Sequence, residues 1–338
     1  MKIFRALGFL ALAAFLSGLP AKAQVYQAGG GINEYSGTDY ETLTSSPIAN
    51  GGDAESVVYN DGILYIYGWD STDTHMVVGT YNAATLAPIN PVIASFDPIT
   101  PFATGAYPGQ VAVSGNNIYL GNSEFYAGYV TEVNSVTGAV DQQFISLPSN
   151  NVAGLVVDNG ILYVSSNSGT VATYNAATGA LLDSNFITFA DGGNGGSLAI
   201  YGNSIYVVDA YGAPDYNNVL VGEYDLATGD PIDASFLSGA DGTTDQINNI
   251  ALNGSTLYVE DNTNNTLGAY DPTTGHYEGD VGGISTRGQF GVYGSSDGLV
   301  DDNPPSDAAP EPRSWAMASI VGLGFLALWR RRSVSGLV

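Results

Sequence analysis

The chain has 338 residues, with 33 Asp and Glu against 8 Lys and Arg and no cysteine, which excludes disulfide staples, thiolate metal sites and cysteine nucleophiles. Between positions 24 and 310 the only cation is Arg287, leaving that stretch at a net charge of −31. Such a surface repels phosphate backbones and excludes nucleic-acid binding, while 44% hydrophobic residues, with 22 Tyr and 12 Phe, supply a core that a disordered acidic chain would lack.

At the N-terminus Lys2 and Arg5 precede an apolar stretch from Ala6 to Leu19, and Ala21-Lys22-Ala23 places small residues at the −3 and −1 positions before Gln24. This order reads as a secretory signal peptide over 1–23, a helix too short for a membrane span. The chain is therefore expected to pass the secretion machinery and to be exported.

A repeat fills the middle. An apolar triplet, a tight turn and an apolar-Tyr strand recur as "VVYNDGILYIYG" from Val57, "VAVSGNNIYLGN" from Val111, "LVVDNGILYVSS" from Leu155, "LAIYGNSIYVVD" from Leu198 and "IALNGSTLYVED" from Ile250. Asn, Asp and Gly in these turns tolerate positive φ, so each copy predicts a β-hairpin. A third strand follows, ending in Tyr-Asn or Tyr-Asp before a polar turn, as in "TYNAATG" (173–179) and "EYDLATG" (223–229). Three copies add a fourth strand reading apolar-Asp-x-x-Phe: Val140-Asp141 to Phe144, Leu182-Asp183 to Phe186 and Ile232-Asp233 to Phe236. Spacings of 54, 44, 43 and 52 residues with four antiparallel strands per unit are those of propeller blades.

The ends complete a blade between them. "INEYSGTDYETLTSSPI" (32–48) reads as third and fourth strands without a start, and "FGVYGSSDGLV" (290–300) as a first strand without a finish. Joining them removes an open edge. The expectation is an all-β fold, a six-bladed β-propeller over 24–300 closed by strands from both termini. Seven blades is the alternative, because the longer spacings leave room for further strands. Small residues at the middle of the first strand (Ala112, Ala199, Ala251, Gly291) suit an inner strand crowded around a narrow axis. Tyr65, Tyr119, Tyr163, Tyr206 and Tyr258 share one repeat position and are expected to pack between blades. The "NGILYVSS" and "TGALLDSNF" elements resemble delta-60 and related bacterial propeller repeats, a resemblance that implies fold and not activity.

Residues 301–309 read as a polar, Pro-containing linker. Beyond it, Pro310-Glu311-Pro312, an uncharged run from Trp315 to Trp329 and Arg330, Arg331 and Arg332 follow in order. The run is short for a straight span, yet its flanking Trp residues and trailing arginines suit a transmembrane helix with a cytoplasmic end. Together 310–332 resemble the PEP-CTERM sorting signal of Gram-negative bacteria, with 333–338 a short tail. That resemblance implies processing by an exosortase, transient anchoring in the inner membrane through the C-terminal helix, and delivery to the cell surface or outside it, in bacteria that typically make extracellular polysaccharide.

In a propeller, loops entering the first strand and loops joining strands two and three share one face. Here they gather Asp53, Glu55, Tyr107, Gln110, Asn150, Asn151, Asp191, Asn194, Asp241 and Asp245, then Trp69, Asp70, Asp73, Glu124, Tyr126, Asp209, Tyr211, Asp215 and Asp261. These loops are longer and more varied than the opposite turns, and such loops more often carry function. Exposed Trp69, Tyr107, Tyr126 and Tyr211 offer faces for sugar rings, and Asp and Asn offer partners for hydroxyls. The acids could also take Ca²⁺, but no contiguous calcium loop is present, so metal ligands stay unassigned and no cofactor is required. Arg287, the domain's single cation, either clamps an acidic ligand group or pairs with local carboxylates. With only His75 and His276 and no Gly-x-Ser-x-Gly elbow, catalytic constellations have little material. The leading expectation is a non-enzymatic surface propeller for extracellular polysaccharide or envelope matrix; the alternative is a metal-dependent, lactonase-like or glycan-active hydrolase using residues such as Glu55, Asn151 and Asp245.

Overall fold

The computed structural model describes residues 24–28, 32–36, 39–42, 52–83, 85–99, 107–124, 127–148, 151–189, 193–210, 219–238, 247–253, 255–261, 266–283 and 299–301. The signal segment 1–23, the linker beyond 301, the sorting signal and the tail lie outside these residues. No helix among the described residues is long and apolar enough to cross a membrane.

The described chain is all β. Strands β1 (Gln24–Ala28), β2 (Ile32–Ser36) and β3 (Asp39–Thr42) open it. Four-strand groups follow, first β4 (Ala54–Asn60), β5 (Ile63–Trp69), β6 (Met76–Asn82) and β7 (Pro88–Phe96), then β8 (Tyr107–Ser114), β9 (Asn117–Glu124), β10 (Ala127–Asn134) and β11 (Val140–Pro148). The third group is β12 (Val152–Asp158), β13 (Ile161–Ser166), β14 (Thr170–Asn175) and β15 (Leu181–Thr188). The fourth is β16 (Asn194–Tyr201), β17 (Ser204–Ala210), β18 (Val219–Asp225) and β19 (Pro231–Ser238). The fifth is β20 (Ile247–Asn253), β21 (Thr256–Asp261), β22 (Thr266–Tyr270) and β23 (Tyr277–Gly283), after which only β24 (Leu299–Asp301) remains.

Each group is one antiparallel sheet in sequence order, and these five sheets are the blades of a β-propeller. A sixth four-stranded sheet has the order β24-β1-β2-β3, with Val25 opposite Asp301 and Tyr35 opposite Tyr40. First strands touch in the succession β4, β8, β12, β16, β20, and β24 touches both β20 and β4.

Local chemistry explains the repetition. The hairpin turns place Asp61, Asn159, Gly62, Gly115, Gly160 and Gly202 at positive φ, as their residue types allow. In each third-to-fourth-strand turn the Asn or Asp after the tyrosine position caps its own loop. Asp225 Oδ1, for example, accepts from the amides of Ala227 and Thr228 and from the Thr228 hydroxyl. Asn82, Asn134, Asn175 and Asp271 do the same with Thr85, Thr137, Thr178 and Thr273. The glycine closing the turn has φ of +74° at Gly229, and a Cβ there would stand 1.9 Å from the Phe186 carbonyl oxygen of the preceding blade. Turn geometry and blade packing both demand glycine at that spot.

Tyrosines join the blades as expected. Tyr119 donates to the Ala176 carbonyl (2.7 Å), Tyr163 to that of Leu226 (3.5 Å) and Tyr206 to that of Pro272 (2.5 Å), each the first turn residue of the next blade. The ring of each also meets the Phe of its own fourth strand: Tyr119 with Phe144, Tyr163 with Phe186, Tyr206 with Phe236. Ala112, Ala199 and Ala251 are the register partners of Tyr119, Tyr206 and Tyr258. Tyr65 and Tyr163 face the larger Val58 and Val156 at the same register position, so a small partner is common there but not required.

Candidate functional site at the loop face

All five first strands carry a register shift at the end where the chain enters: between Ala54 and Ser56, Pro108 and Val111, Val152 and Gly154, Gly195 and Leu198, and Ile247 and Asn249. Bulges of this kind re-aim side chains, and they gather beside functional sites. Aligned on the stapling tyrosine, the bulge position holds Gly109, Ala153 and Gly196 in the second to fourth blades but Glu55 in the first. Burial, then the charges of Asp53 and Asp73, push the Glu55 carboxyl up to about 7. At neutral pH it is therefore both donor and acceptor. Asp53, two residues before it, is exposed and carries the backbone acceptor for the Trp69 amide (2.9 Å).

One position deeper the axis is polar. Gln110 of β8 donates through Nε2 to Asn249 Oδ1 of β20 at 3.0 Å, although two whole blades lie between theirs in sequence order. Asn249 Nδ2 in turn donates to Glu260 Oε2 at 3.0 Å, and both residues are buried. Ser197, at the same repeat position, donates to the Ile250 carbonyl (3.2 Å). Ser56 completes that position in the first blade; it is fully buried and its hydroxyl has no hydrogen-bond partner. Burying such polar groups is tolerable where they find partners, as Gln110, Asn249 and Ser197 do. Sequence reading placed Gln110 in a loop and omitted Ser56, Ser197, Asn249 and Glu260. The signal was available in the repeat alignment: a polar residue or glycine always stands two places before the tyrosine's register partner.

The first blade's second loop is tightly ordered. Asp70 Oδ1 accepts from the Thr72 hydroxyl (2.9 Å) and from the amides of Thr72, Thr74 and His75. Burial works to raise this carboxyl, but those hydrogen bonds together with His75 outweigh it and hold it well below the usual range. His75 bridges Asp70 Oδ2 (3.0 Å) and Asp97 Oδ1 (3.2 Å), the latter just beyond β7. Asp97 was absent from the sequence-derived candidates, and nothing local marks it.

Other candidates fall in several places. Trp69 closes β5 half-buried, packed with the cluster containing Tyr65, Tyr67 and Met76, so it is no free stacking platform. Asp209 is a buried residue of β17 and Asn194 opens β16, neither lying in a loop. Tyr107 begins β8, Glu124 and Asp261 end β9 and β21, and the Asn151 amide bonds Asn167 (2.8 Å). Asn150, Tyr126, Asp191, Tyr211, Asp215, Asp241, Asp245 and Arg287 lie outside the described residues, as do Ala21, Ala23, Pro310, Glu311, Pro312, Arg330, Arg331 and Arg332. Among the described residues no group of three or more Asp, Glu or His is arranged to hold a metal ion.

Bulged first strands, hydrogen-bonded turns and a blade-to-blade tyrosine staple define a repeat β-propeller. The sequence pattern of the family described as "Outer membrane protein assembly factor BamB" matches residues 96–229 and again 143–277, together more than half of the chain, and the chain belongs to that family. No curated protein matches it in sequence. Among solved structures, that of a nidogen/laminin complex is similar over 82% of this chain and 98% of its own, at 12% identity and a TM-score of 0.55, a likeness of fold alone. The computationally designed Ika8 protein is similar over 77% of this chain and 74% of its own, at 14% identity and a TM-score of 0.45.

Proposed function

We propose that this chain is an exported propeller that acts by binding, as a surface or extracellular protein holding polysaccharide or neighbouring envelope components, and that its tail is an exosortase-processed sorting signal. The order of Lys2 and Arg5, the apolar stretch Ala6 to Leu19 and the small residues Ala21 and Ala23 supports export. The family's description as an assembly factor supports a role in holding other molecules. Contacts of β24 with β20 and β4 support a reading of the sixth sheet as a closing blade, which makes the ring six-bladed.

One observation carries the binding reading: the two faces differ in kind. The turn face repeats one self-capped loop, whereas the loop face presents five re-aimed strand ends with unlike side chains, among them Asp53 and Glu55. A panel of extracellular polysaccharides offered to the full chain should show a retained ligand, with affinity falling about tenfold in Asp53→Ala, the loss expected of one good polar contact. Absence of any retained glycan, or equal retention by Asp53→Ala, overturns the reading. The protonatable Glu55 favours one second reading, a hydrolase. Turnover of a lactone or glycoside supplied with Ca²⁺, lost in Glu55→Gln, would replace binding with catalysis.

A further inference from the structure

The hydroxyl chain beside His75 fixes where its first proton sits. Asp70, ionised, only accepts, so Thr72 gives its hydroxyl proton to Asp70 Oδ1 at 2.9 Å. Thr74 Oγ1 lies 2.6 Å from Thr72 Oγ1 and must donate to it. That leaves Thr74 Oγ1 only acceptor capacity toward His75 Nδ1 at 2.9 Å, and Asp70 Oδ2 faces the same nitrogen at 3.0 Å. Nδ1 therefore carries the proton in the neutral ring. Nε2, 3.2 Å from Asp97 Oδ1, has a proton to give only when the ring is an imidazolium.

We propose that His75 is a proton-operated strap, whose Nε2–H ties the segment after β7 to the loop between β5 and β6 and lets it go when the ring becomes neutral. Release falls on Asp97 and not Asp70, because the Asp97 side chain is 83% exposed and readily rehydrated while Asp70 is 20% exposed and held by its own loop. The strap matters for what lies under it. Asp97, Pro98 and Ile99, with Met76, Phe96 and Tyr129, line a slot between the first two blades. Its floor is the buried Asn122, which accepts from the Tyr67 hydroxyl and donates to Thr131 Oγ1 at 2.9 Å. On the far side Gln142 Nε2 donates to the Asp97 carbonyl (2.7 Å) and serves as the hinge that remains. The ionisable neighbours are all acidic: Asp73 in the same loop, Asp53 and Glu55 at β4, and Asp141, which borders a surface groove with Asp97. No Lys or Arg lies among the described residues to replace the imidazolium.

The full chain contains two histidines, so selective histidine labelling gives two titrating signals to set beside hydrogen exchange of the Asp97 and Ile99 amides, Pro98 between them having none. After correction for intrinsic chemistry, exchange there should rise about threefold from pH 5 to pH 8, the scale of one exposed ion pair, with the midpoint of the His75 signal. In His75→Gln the segment should exchange at the fast level at both pH values, while His276→Gln should keep the original profile. Corrected exchange that ignores pH, a midpoint that follows His276, or a pH dependence surviving in His75→Gln would each overturn the strap. The wild-type midpoint decides the matter by itself where a variant folds badly.

Discussion

Glu55 is the residue whose environment departs furthest from what its neighbours in the repeat accept. Where the second to fourth blades put glycine or alanine on the bulge and the fifth puts Asn248, the first blade holds a carboxyl whose ionisation is opposed by burial and by Asp53 and Asp73. Its folded pKa is raised above the unfolded value, so the folded state binds a proton more readily than the unfolded chain. Stability from this group is thus intact below about pH 4.5 and declines as pH rises toward 7. Chemical denaturation should find Glu55→Gln more stable than the parent at pH 8 by on the order of 2 kcal/mol and nearly equal to it at pH 5. Equal differences at the two pH values would remove the penalty. The direction is unusual, since carboxylates more often lose stability on acidification.

At the scale of the element, the glycine that ends each third-to-fourth-strand turn separates two costs that usually come together. Gly229 has φ of +74° with the Phe186 carbonyl in the path of any Cβ, whereas Gly160 has φ of +78° with nothing within 4 Å. Gly160→Ala should cost about 1 kcal/mol for backbone strain alone, and Gly229→Ala about 3 kcal/mol because the blades must also part. Thermal melts of the two variants give the comparison, and equal costs would mean that blade spacing is slack. Much of this architecture was legible beforehand, because each hairpin carries its own turn chemistry and each tyrosine repeats. What escaped was chemistry assembled across long sequence separations. The Gln110–Asn249 bond spans the axis, and the His75–Asp97 contact joins two loops of no shared pattern. Short strands escaped too: β1 reads "QVYQA" and β24 only "LVD", with too few residues for alternation to show. Their partners β2 and β3, by contrast, sit inside the stretch read as third and fourth strands.

On the scale of the whole molecule, charge is almost unopposed. The stretch 24–310 has 32 acids and Arg287, and the described residues offer only His75 and His276 as possible cations. Close packing of like charge destabilises a folded state by self-repulsion, and salt weakens that repulsion as the Debye length falls from about 14 Å at 0.05 M to about 3 Å at 1 M. The melting temperature of the full chain should therefore rise by about 5 °C over that range, more steeply with Ca²⁺ than with Na⁺ at equal ionic strength. A melting temperature that stays level or falls with salt would show that the acids are too well spread to repel.

The pairing of Val25 with Asp301 carries one more consequence. Register partners in adjacent strands lie about 5 Å apart, so the first and last described residues are neighbours and the order of the strands is cyclic. A short loop linking Asp301 to Gln24, with the chain opened at the exposed Asn159-Gly160 turn, would leave the strand pairing within every sheet unchanged.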